Sequence, residues 1–236
     1  MKILRSKGFQ TGSFVGEKNQ MRMCGHVVKG EAFKFLTAKQ VNMILEVIWN
    51  DAECHQRERN HCAVFCGFYL GLRVGEAAIL EPRHLQHIGQ EVIMIPTLKQ
   101  KKKRKTDAPP EIMIRDIEPE VIKYLQWYLG RHGEQHWMFP NAYHPKKHMS
   151  EWSLNQMFAT YAAAAGLPPE YSWHALRHGR GMTVWNATKD LKAVQALLRH
   201  KTVAMAERYS HMDPEKKAER LSSLSSRFIS PEMAAN

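Results

Sequence analysis

The sequence lacks the long apolar segments that membrane-spanning and secreted proteins need. No stretch of about 18 consecutive apolar residues occurs in the 236-residue chain, which excludes a transmembrane helix of ordinary length. The segment Met1 to Gly8 has no apolar core of the kind that a signal peptide carries. We therefore expect the protein to be cytoplasmic.

Cysteine is also scarce, with four residues in the chain: Cys24, Cys54, Cys62 and Cys66. Cys62 and Cys66 have His55 and His61 close by, so a zinc site is one interpretation. However, the two cysteines lie in an apolar helical segment, and the paired CxxC motifs of structural zinc sites are absent. Because free cysteines are usually buried, we predict core thiols and no bound metal or other cofactor.

Acidic residues are outnumbered. The chain has 34 Lys and Arg against 23 Asp and Glu, a formal net charge of +11 and a pI near 9.6. A cation placed on a phosphate releases a condensed counterion, so this excess favours a polyanionic partner. Ribosomal proteins, RNA enzymes and membrane-surface proteins share the same excess, and charge alone does not choose among them.

Hydrophobic patterning predicts a mainly α fold with one small antiparallel β-sheet. Residues 1–34 are basic and without steady periodicity, so we interpret them as an arm, and residues 213–236 as a tail containing an amphipathic helix. Segments 91–96 and 111–115 are short β-type runs and predict a hairpin. Helices are predicted from a capping box at Thr37 to about Ile48, over about 57–70, after Gly71, from Pro119 to Leu129, and over about 150–165, 173–187, 189–199, 203–209 and 214–227.

Arginine and histidine lie close together in the segment His174-Ala175-Leu176-Arg177-His178. Cleaving a phosphodiester bond without a metal requires fixed positive charge on the phosphate oxygens, which arginine supplies with a planar fork. Arg177 and Arg73 are the candidates. Glu76 lies three positions after Arg73, so a simple ion pair is an equal alternative for that arginine. His174 and His200 can carry protons during the reaction.

A tyrosine hydroxyl can attack a phosphate once a base or a cationic neighbourhood overcomes its pKa of about 10. Tyr209 is the preferred nucleophile, because its short predicted helix is followed by a polar break. Tyr171 is the rival, since it lies three positions before His174. The other tyrosines are assigned to the core or to a loop: Tyr69, Tyr124, Tyr128, Tyr143 and Tyr161.

If a tyrosine attacks a phosphodiester of DNA, the 5′ oxygen that leaves needs a proton donor. The segment from Lys99 to Lys105 offers candidates, because it has six cations in seven positions. Lys99 matches the end of the first predicted strand and is the preferred donor, with Lys101 as the second choice. A solvated loop that holds DNA backbone is the plainer interpretation of this segment. Its expected DNA-binding residues are Lys101, Lys102, Lys103, Arg104 and Lys105.

Together these motifs resemble the catalytic domain of the tyrosine recombinases, the phage integrase family, over about residues 35–220. Gly71 to Glu76 is similar to the first arginine box of the family, and His174 to His178 matches its His-x-x-Arg box. The segment from Leu197 to His211 resembles the box that ends with the nucleophile. The resemblance implies a catalytic domain over 35–212 with an active site formed by Arg73, Lys99, His174, Arg177, His200 and Tyr209.

The same resemblance implies site-specific recombination of double-stranded DNA without ATP or a metal. Tyr209 would form a 3′-phosphotyrosyl link and free a 5′-hydroxyl, and a homotetramer would act on paired sites. The setting would be the nucleoid of a bacterium, or a phage or other mobile element, with DNA-bending proteins or host recombinases as further candidate partners. Two alternatives stay open: a DNA-relaxing or resolving enzyme with type IB topoisomerase chemistry, and a catalytically silent DNA-binding protein.

The chain departs from the family pattern in two respects. Gly179-Arg180-Gly181 stands where relatives commonly carry a small hydroxyl residue, and each glycine should weaken a helix by about 1 kcal/mol relative to alanine. Few residues precede the first helix, so we expect a short, single-domain recombinase without a full N-terminal DNA-binding domain, similar in layout to the fimbrial-switch invertases. The tail over 213–236 is expected to dock on a neighbouring subunit or on its own domain.

Overall fold

The computed structural model of the protein describes residues 34–98, 109–115 and 117–210. Three predicted features lie outside these residues: the arm up to residue 33, the cations Lys99 and Lys101 to Lys105, and the tail over 213–236. Among the described residues, no helix is long and apolar enough to cross a membrane.

The prediction of a mainly α fold with a small antiparallel sheet is confirmed. In chain order the elements are α1 Ala38–Trp49, α2 Arg57–Tyr69, α3 Val74–Ala78, two 3₁₀ turns at Pro82–Leu85 and Ile88–Gln90, β1 Ile93–Pro96, β2 Glu111–Ile114, α4 Pro119–His132, α5 Glu151–Ala164, α6 Trp173–Thr188, α7 Leu191–Leu198 and α8 Ala204–Glu207. The two 3₁₀ turns were not among the predicted elements.

Helix α1 begins at the predicted capping box. The Thr37 side chain accepts a hydrogen bond from the Gln40 backbone N–H (3.3 Å), and the Gln40 side chain accepts one from the Thr37 N–H (2.9 Å). The predicted apolar stripe of α1 is buried in the core, and it consists of Val41, Ile44, Leu45 and Ile48. Cys62 and Cys66 are likewise buried in α2, which confirms their assignment to the core.

The predicted hairpin strands pair antiparallel. Ile93 lies opposite Ile114, and Pro96 lies opposite Glu111. Beyond the ladder, the Thr97 N–H donates to the Pro110 carbonyl at 2.8 Å. Thr97, which follows β1, and Pro110, which precedes β2, are therefore adjacent.

Helix α6 lies at the centre of the helical packing, against α1, α2, α5 and α7. Trp173 in its first turn is fully buried, and its indole N–H donates to the Leu72 carbonyl at 3.0 Å. A Cβ atom at Gly179 would lie 1.9 Å from the Leu36 carbonyl oxygen. The helix continues without a break through Gly179 and Gly181, and at Gly179 the missing side chain allows a backbone segment to pass close by.

Candidate active site

Arg73 lies at the start of α3, in a turn that Gly71 makes possible. Gly71 has φ +56°, a left-handed conformation that favours glycine, and a Cβ atom there would lie 2.9 Å from Leu198 Cδ2. Arg73 is the N-cap of α3 and so precedes the helix that was predicted to carry it. Its backbone N–H donates to Glu76 Oε2 at 2.9 Å, and its Nη1 lies 2.5 Å from Glu76 Oε1. The ion pair considered from the sequence is therefore present.

Arg177 is buried on α6, with 3% of its surface exposed. Its two terminal nitrogens donate to the carbonyls of Gly71 and Leu198, and Nη1 lies 3.9 Å from Glu76 Oε2. Burial, followed by the nearby cations Arg199 and Arg73, lowers the pKa of Arg177 to about 9, so the guanidinium stays charged at neutral pH. The structure thus brings Arg73 and Arg177 within ion-pair distance of one carboxylate.

Glu76 is the centre of this arginine cluster and is 1% exposed. Burial alone would raise its pKa, but Arg199, Arg73 and Arg177 outweigh burial, and the pKa is lowered. The carboxylate is therefore ionised at neutral pH. From the sequence, Glu76 is expected only as a possible partner of Arg73, and Arg199 is not expected in the site.

His200 and Tyr209 are positioned by the turns around α7 and α8. The His200 N–H donates to the Gln195 carbonyl (3.0 Å) where α7 ends, and the Tyr209 N–H donates to the Ala206 carbonyl (3.0 Å) where α8 ends. The His200 and Tyr209 rings are nearly parallel, with an interplanar angle of 18° and centroids 6.3 Å apart. Two predicted site residues, nine positions apart in the sequence, are therefore neighbours.

The Tyr209 hydroxyl lies 3.1 Å from Nδ1 of His178, one position beyond Arg177 on α6. Tyr209 is fully buried, and burial raises its pKa to about 12 against the opposing effect of Arg177, Arg208 and Arg73. The phenol therefore lies within electrostatic reach of both predicted phosphate-binding arginines. His178 was recognised in the sequence as flanking Arg177, but it was not assigned to the site.

The histidines of α6 have different surroundings. His174 is exposed, whereas burial, and after it the proximity of His174 and other cations, lowers the pKa of His178 to about 2. The two rings lie 6.1 Å apart. His178 is therefore neutral at physiological pH, and His174 lies at the solvent-facing edge of the cluster.

Three of the other six tyrosines are held by hydrogen bonds within the fold. The hydroxyls of Tyr128 and Tyr161 donate to the Met138 carbonyl and to Asp51, each at 2.8 Å. Tyr124 lies 2.6 Å from His61, and burial raises its pKa far above the usual value. The remaining three comprise the half-buried Tyr69 and Tyr171 and the exposed Tyr143. Tyr209 has the cationic neighbours expected of the nucleophile, but burial holds its pKa above the usual value.

The predicted lysines lie outside the described residues, but the segment between β1 and Lys99 packs against α3. A Cβ atom at Gly75 would lie 2.7 Å from Leu98 Cδ1. Leu98, the residue before Lys99, therefore packs against α3, the helix that Arg73 caps.

Comparisons with known proteins identify the family of the chain. The model of the phage integrase family matches residues 34–216. The tyrosine recombinase XerC of Pediococcus pentosaceus is 26% identical over 189 residues, which cover 77% of this chain and 59% of that protein.

Solved structures show the same fold. The XerA recombinase superposes with a TM-score of 0.64 at 19% identity, covering 82% of this chain and 65% of its own. The XerH site-specific recombinase bound to palindromic difH substrate, in a post-cleavage complex, superposes with a TM-score of 0.59 at 23% identity, covering 80% and 52%. This chain therefore spans less than two thirds of the length of these relatives.

Proposed function

This chain belongs to the phage integrase family, and we propose that it is a site-specific DNA recombinase that cleaves DNA through a covalent bond to Tyr209. The observation that carries the proposal is the position of the Tyr209 hydroxyl. It lies 3.1 Å from His178 Nδ1 and within electrostatic reach of Arg73 and Arg177. The positive charge around this phenol would favour its attack on a phosphodiester once the hydroxyl reaches the DNA.

In the proposed site, Arg73 and Arg177 hold the non-bridging oxygens of the scissile phosphate. A guanidinium has five N–H donors, and Arg177 gives two of them to the Gly71 and Leu198 carbonyls. These backbone bonds fix the orientation of the fork before DNA binds. Preorganised charge of this kind stabilises the additional negative charge of the pentacoordinate transition state.

The proposed reaction transfers one phosphoryl ester. The Tyr209 oxygen forms a bond to phosphorus as its proton passes to His174 or His200, and the bond from phosphorus to the 5′ oxygen breaks. Lys99, or alternatively Lys101, supplies the proton that the 5′ oxygen takes, while His174 and His200 assist the transfers. The phosphotyrosine keeps the energy of the ester, so a 5′-hydroxyl from the partner strand can reverse the step without ATP or a metal.

The described arrangement corresponds to a resting state in this proposal. Tyr209 is fully buried, and a pKa of about 12 keeps its hydroxyl protonated at neutral pH. Contact with the DNA phosphate must therefore accompany a rearrangement that brings the phenol to phosphorus. The short helix α8 is the element that would have to move.

The wider assembly follows from the same proposal. The catalytic domain covers 35–212, and the segments 1–34 and 213–236 are an arm on DNA and a tail that docks in its own or a neighbouring subunit. Double-stranded DNA at paired sites is the substrate, on which four copies assemble. Lys101, Lys102, Lys103, Arg104 and Lys105 hold the DNA backbone.

The test uses nicked suicide duplexes that tile the DNA flanking the reading frame. A recombinase will form an SDS-stable protein–DNA adduct with at least one duplex in the presence of EDTA. Arg177→Ala should abolish the adduct while most DNA binding remains, because other basic residues hold the backbone. Binding without any adduct would indicate a silent DNA-binding protein and contradict the proposal.

A further inference from the structure

Arg199 occupies a backbone position that normally suits glycine. It has φ +52° and follows the last residue of α7, where the Arg199 N–H donates to the Ala196 carbonyl (3.1 Å) and the His200 N–H to the Gln195 carbonyl (3.0 Å). This is the Schellman pattern of helix termination, in which glycine avoids the strain of a left-handed residue. An arginine here needs a compensating contribution from its side chain.

The Arg199 side chain provides that contribution through buried contacts. Its Nη2 lies 2.8 Å from Glu76 Oε2 and donates to the Gly71 carbonyl at 3.0 Å, while Nη1 donates to the Leu70 carbonyl at 3.1 Å. Both partners of the ion pair have 1% of their side-chain surface exposed. Hydrogen bonds to ionised groups are among the stronger ones in proteins, and water screens a buried pair little.

These contacts connect two parts of the candidate site. Leu70 and Gly71 belong to the turn that presents Arg73, and Glu76 lies on α3, which Arg73 caps. Arg199 immediately precedes His200. We propose that Arg199 is a positioning residue that locks the Arg73 turn to the His200 segment through Glu76. This inference rests on the proposed function for its effect on catalysis, whereas its structural part can be tested without activity.

The carboxylate of Glu76 faces cations from three elements: Arg73 at the start of α3, Arg177 on α6 and Arg199 after α7. The charge of Arg199 has a larger effect in lowering the pKa of Glu76 than the charge of either Arg73 or Arg177. Removing Arg199 should raise that pKa, so protonation of Glu76 would loosen the arginines at a higher pH. The acid limb of the cleavage rate should therefore shift upward.

Lys189 offers a matched control. It also has a positive φ (+55°) after a helix, and among the described residues its side chain contacts Asn186 and Trp185. Lys189→Gly and Arg199→Gly therefore both replace a cation by glycine in a left-handed helix terminus. Only Arg199→Gly removes a contact with Glu76.

The experiment measures the initial rate of adduct formation on the nicked suicide duplex, across pH, together with DNA binding. Arg199→Gly should lower the rate roughly ten- to a hundredfold and shift the acid limb upward, with binding near the wild-type value. Lys189→Gly should change none of these. A wild-type rate for Arg199→Gly overturns the inference. So does a lower rate that is accompanied by an equal loss of DNA binding and by an unchanged acid limb.

Two further measurements cover misfolding and inactivity. Arg199→Lys keeps the charge but cannot reach Glu76 and both carbonyls together, so its rate should lie between wild type and Arg199→Gly, and a fully wild-type rate contradicts the inference. If the wild type itself forms no adduct, the proposed function fails. Hydrogen exchange then tests Arg199 alone: amides over 71–76 should exchange faster in Arg199→Gly than in Lys189→Gly, and equal exchange overturns the inference.

Discussion

The Tyr209 hydroxyl lies 3.1 Å from Nδ1 of His178, and the two residues come from different helical segments 31 positions apart. Burial keeps both side chains neutral, because it raises the pKa of Tyr209 to about 12 and contributes most to lowering that of His178 to about 2. The contact therefore holds a protonated phenol beside a neutral imidazole. Through this hydrogen bond, His178 contacts the proposed nucleophile directly.

Replacing His178 should slow cleavage in a way that depends on its hydrogen bond. His178→Leu removes the polar group next to the Tyr209 hydroxyl, and the rate of adduct formation should fall about tenfold or more. His178→Asn places a polar atom near the position of Nδ1 and should keep most of the rate. Equal rates in the two variants would show that the hydrogen bond has no role in cleavage.

The pKa of His178 also predicts acid sensitivity of the fold. The unfolded histidine titrates near 6.5 and the folded one near 2, so the unfolded state binds the extra proton first. The contribution of neutral His178 to the free energy of unfolding is fully present above pH 6.5. It is lost as pH falls below that value, by roughly 2 kcal/mol at pH 5. Urea unfolding measures the free energy of unfolding at pH 7.5 and at pH 5. The decrease between the two should be smaller in His178→Asn than in the wild type by this amount.

His61 provides an internal check on that measurement. Burial lowers its pKa to about 4, so it contributes acid sensitivity in both the wild type and His178→Asn. Some loss of stability at pH 5 should therefore remain in the variant. The same loss in both proteins would mean that His178 titrates normally in the fold.

A substitution at Gly181 tests how closely Tyr209 packs against α6. A Cβ atom at Gly181 would lie 2.7 Å from Tyr209 Cε1 and Cζ and 2.8 Å from Leu198 Cδ1, closer than a Cβ atom approaches without displacing a neighbour. Gly181→Ala should therefore displace the phenol, lowering both the free energy of unfolding and the rate of adduct formation. Both quantities can be measured on the same preparation.

Gly130 is the matched control for that substitution. It also lies in a helix, α4, but a Cβ atom there would have no neighbour within 4 Å. Gly130→Ala should raise the free energy of unfolding by up to about 1 kcal/mol, through helix propensity alone. If Gly181→Ala were stabilised as much as Gly130→Ala and cleaved DNA normally, Tyr209 would pack less closely against Gly181 than the structure shows.

Much of the fold could be predicted because its signals are local. The capping box at Thr37 and the apolar stripe after it determine where α1 begins and which side is buried. The end of α5 before Gly166 follows equally local chemistry, since this glycine has φ +75°. Such features depend on neighbouring residues only.

The sequence does not specify which distant residues meet. Arg199 and Glu76 are 123 positions apart, and nothing local to either residue indicates the other. His174 and Arg177 were correctly expected on one helix, but tertiary packing leaves His174 exposed and buries Arg177. Arg73 and Arg177 could be expected together from the chemistry that they share and from the family resemblance, whereas the central place of Glu76 and the contacts of Arg199 required the packed structure.

The proposed general acid predicts a chemical rescue. Lys99→Ala should cleave an ordinary substrate slowly, because the departing 5′ oxygen then lacks its proton donor. A duplex with a 5′-bridging sulfur has a better leaving group, and cleavage by Lys99→Ala should recover on it. Failure of that rescue, together with recovery by Lys101→Ala, would assign the acid role to Lys101.

Identifying the residue bonded to DNA is the most direct measurement of the central claim. The wild-type adduct on a nicked suicide duplex would be digested with protease and nuclease, and the nucleotide-bearing peptide sequenced by mass spectrometry. The nucleotide should lie on Tyr209, and Tyr209→Phe should form no adduct. A nucleotide on Tyr171, or an adduct that persists in Tyr209→Phe and disappears in Tyr171→Phe, would contradict the account.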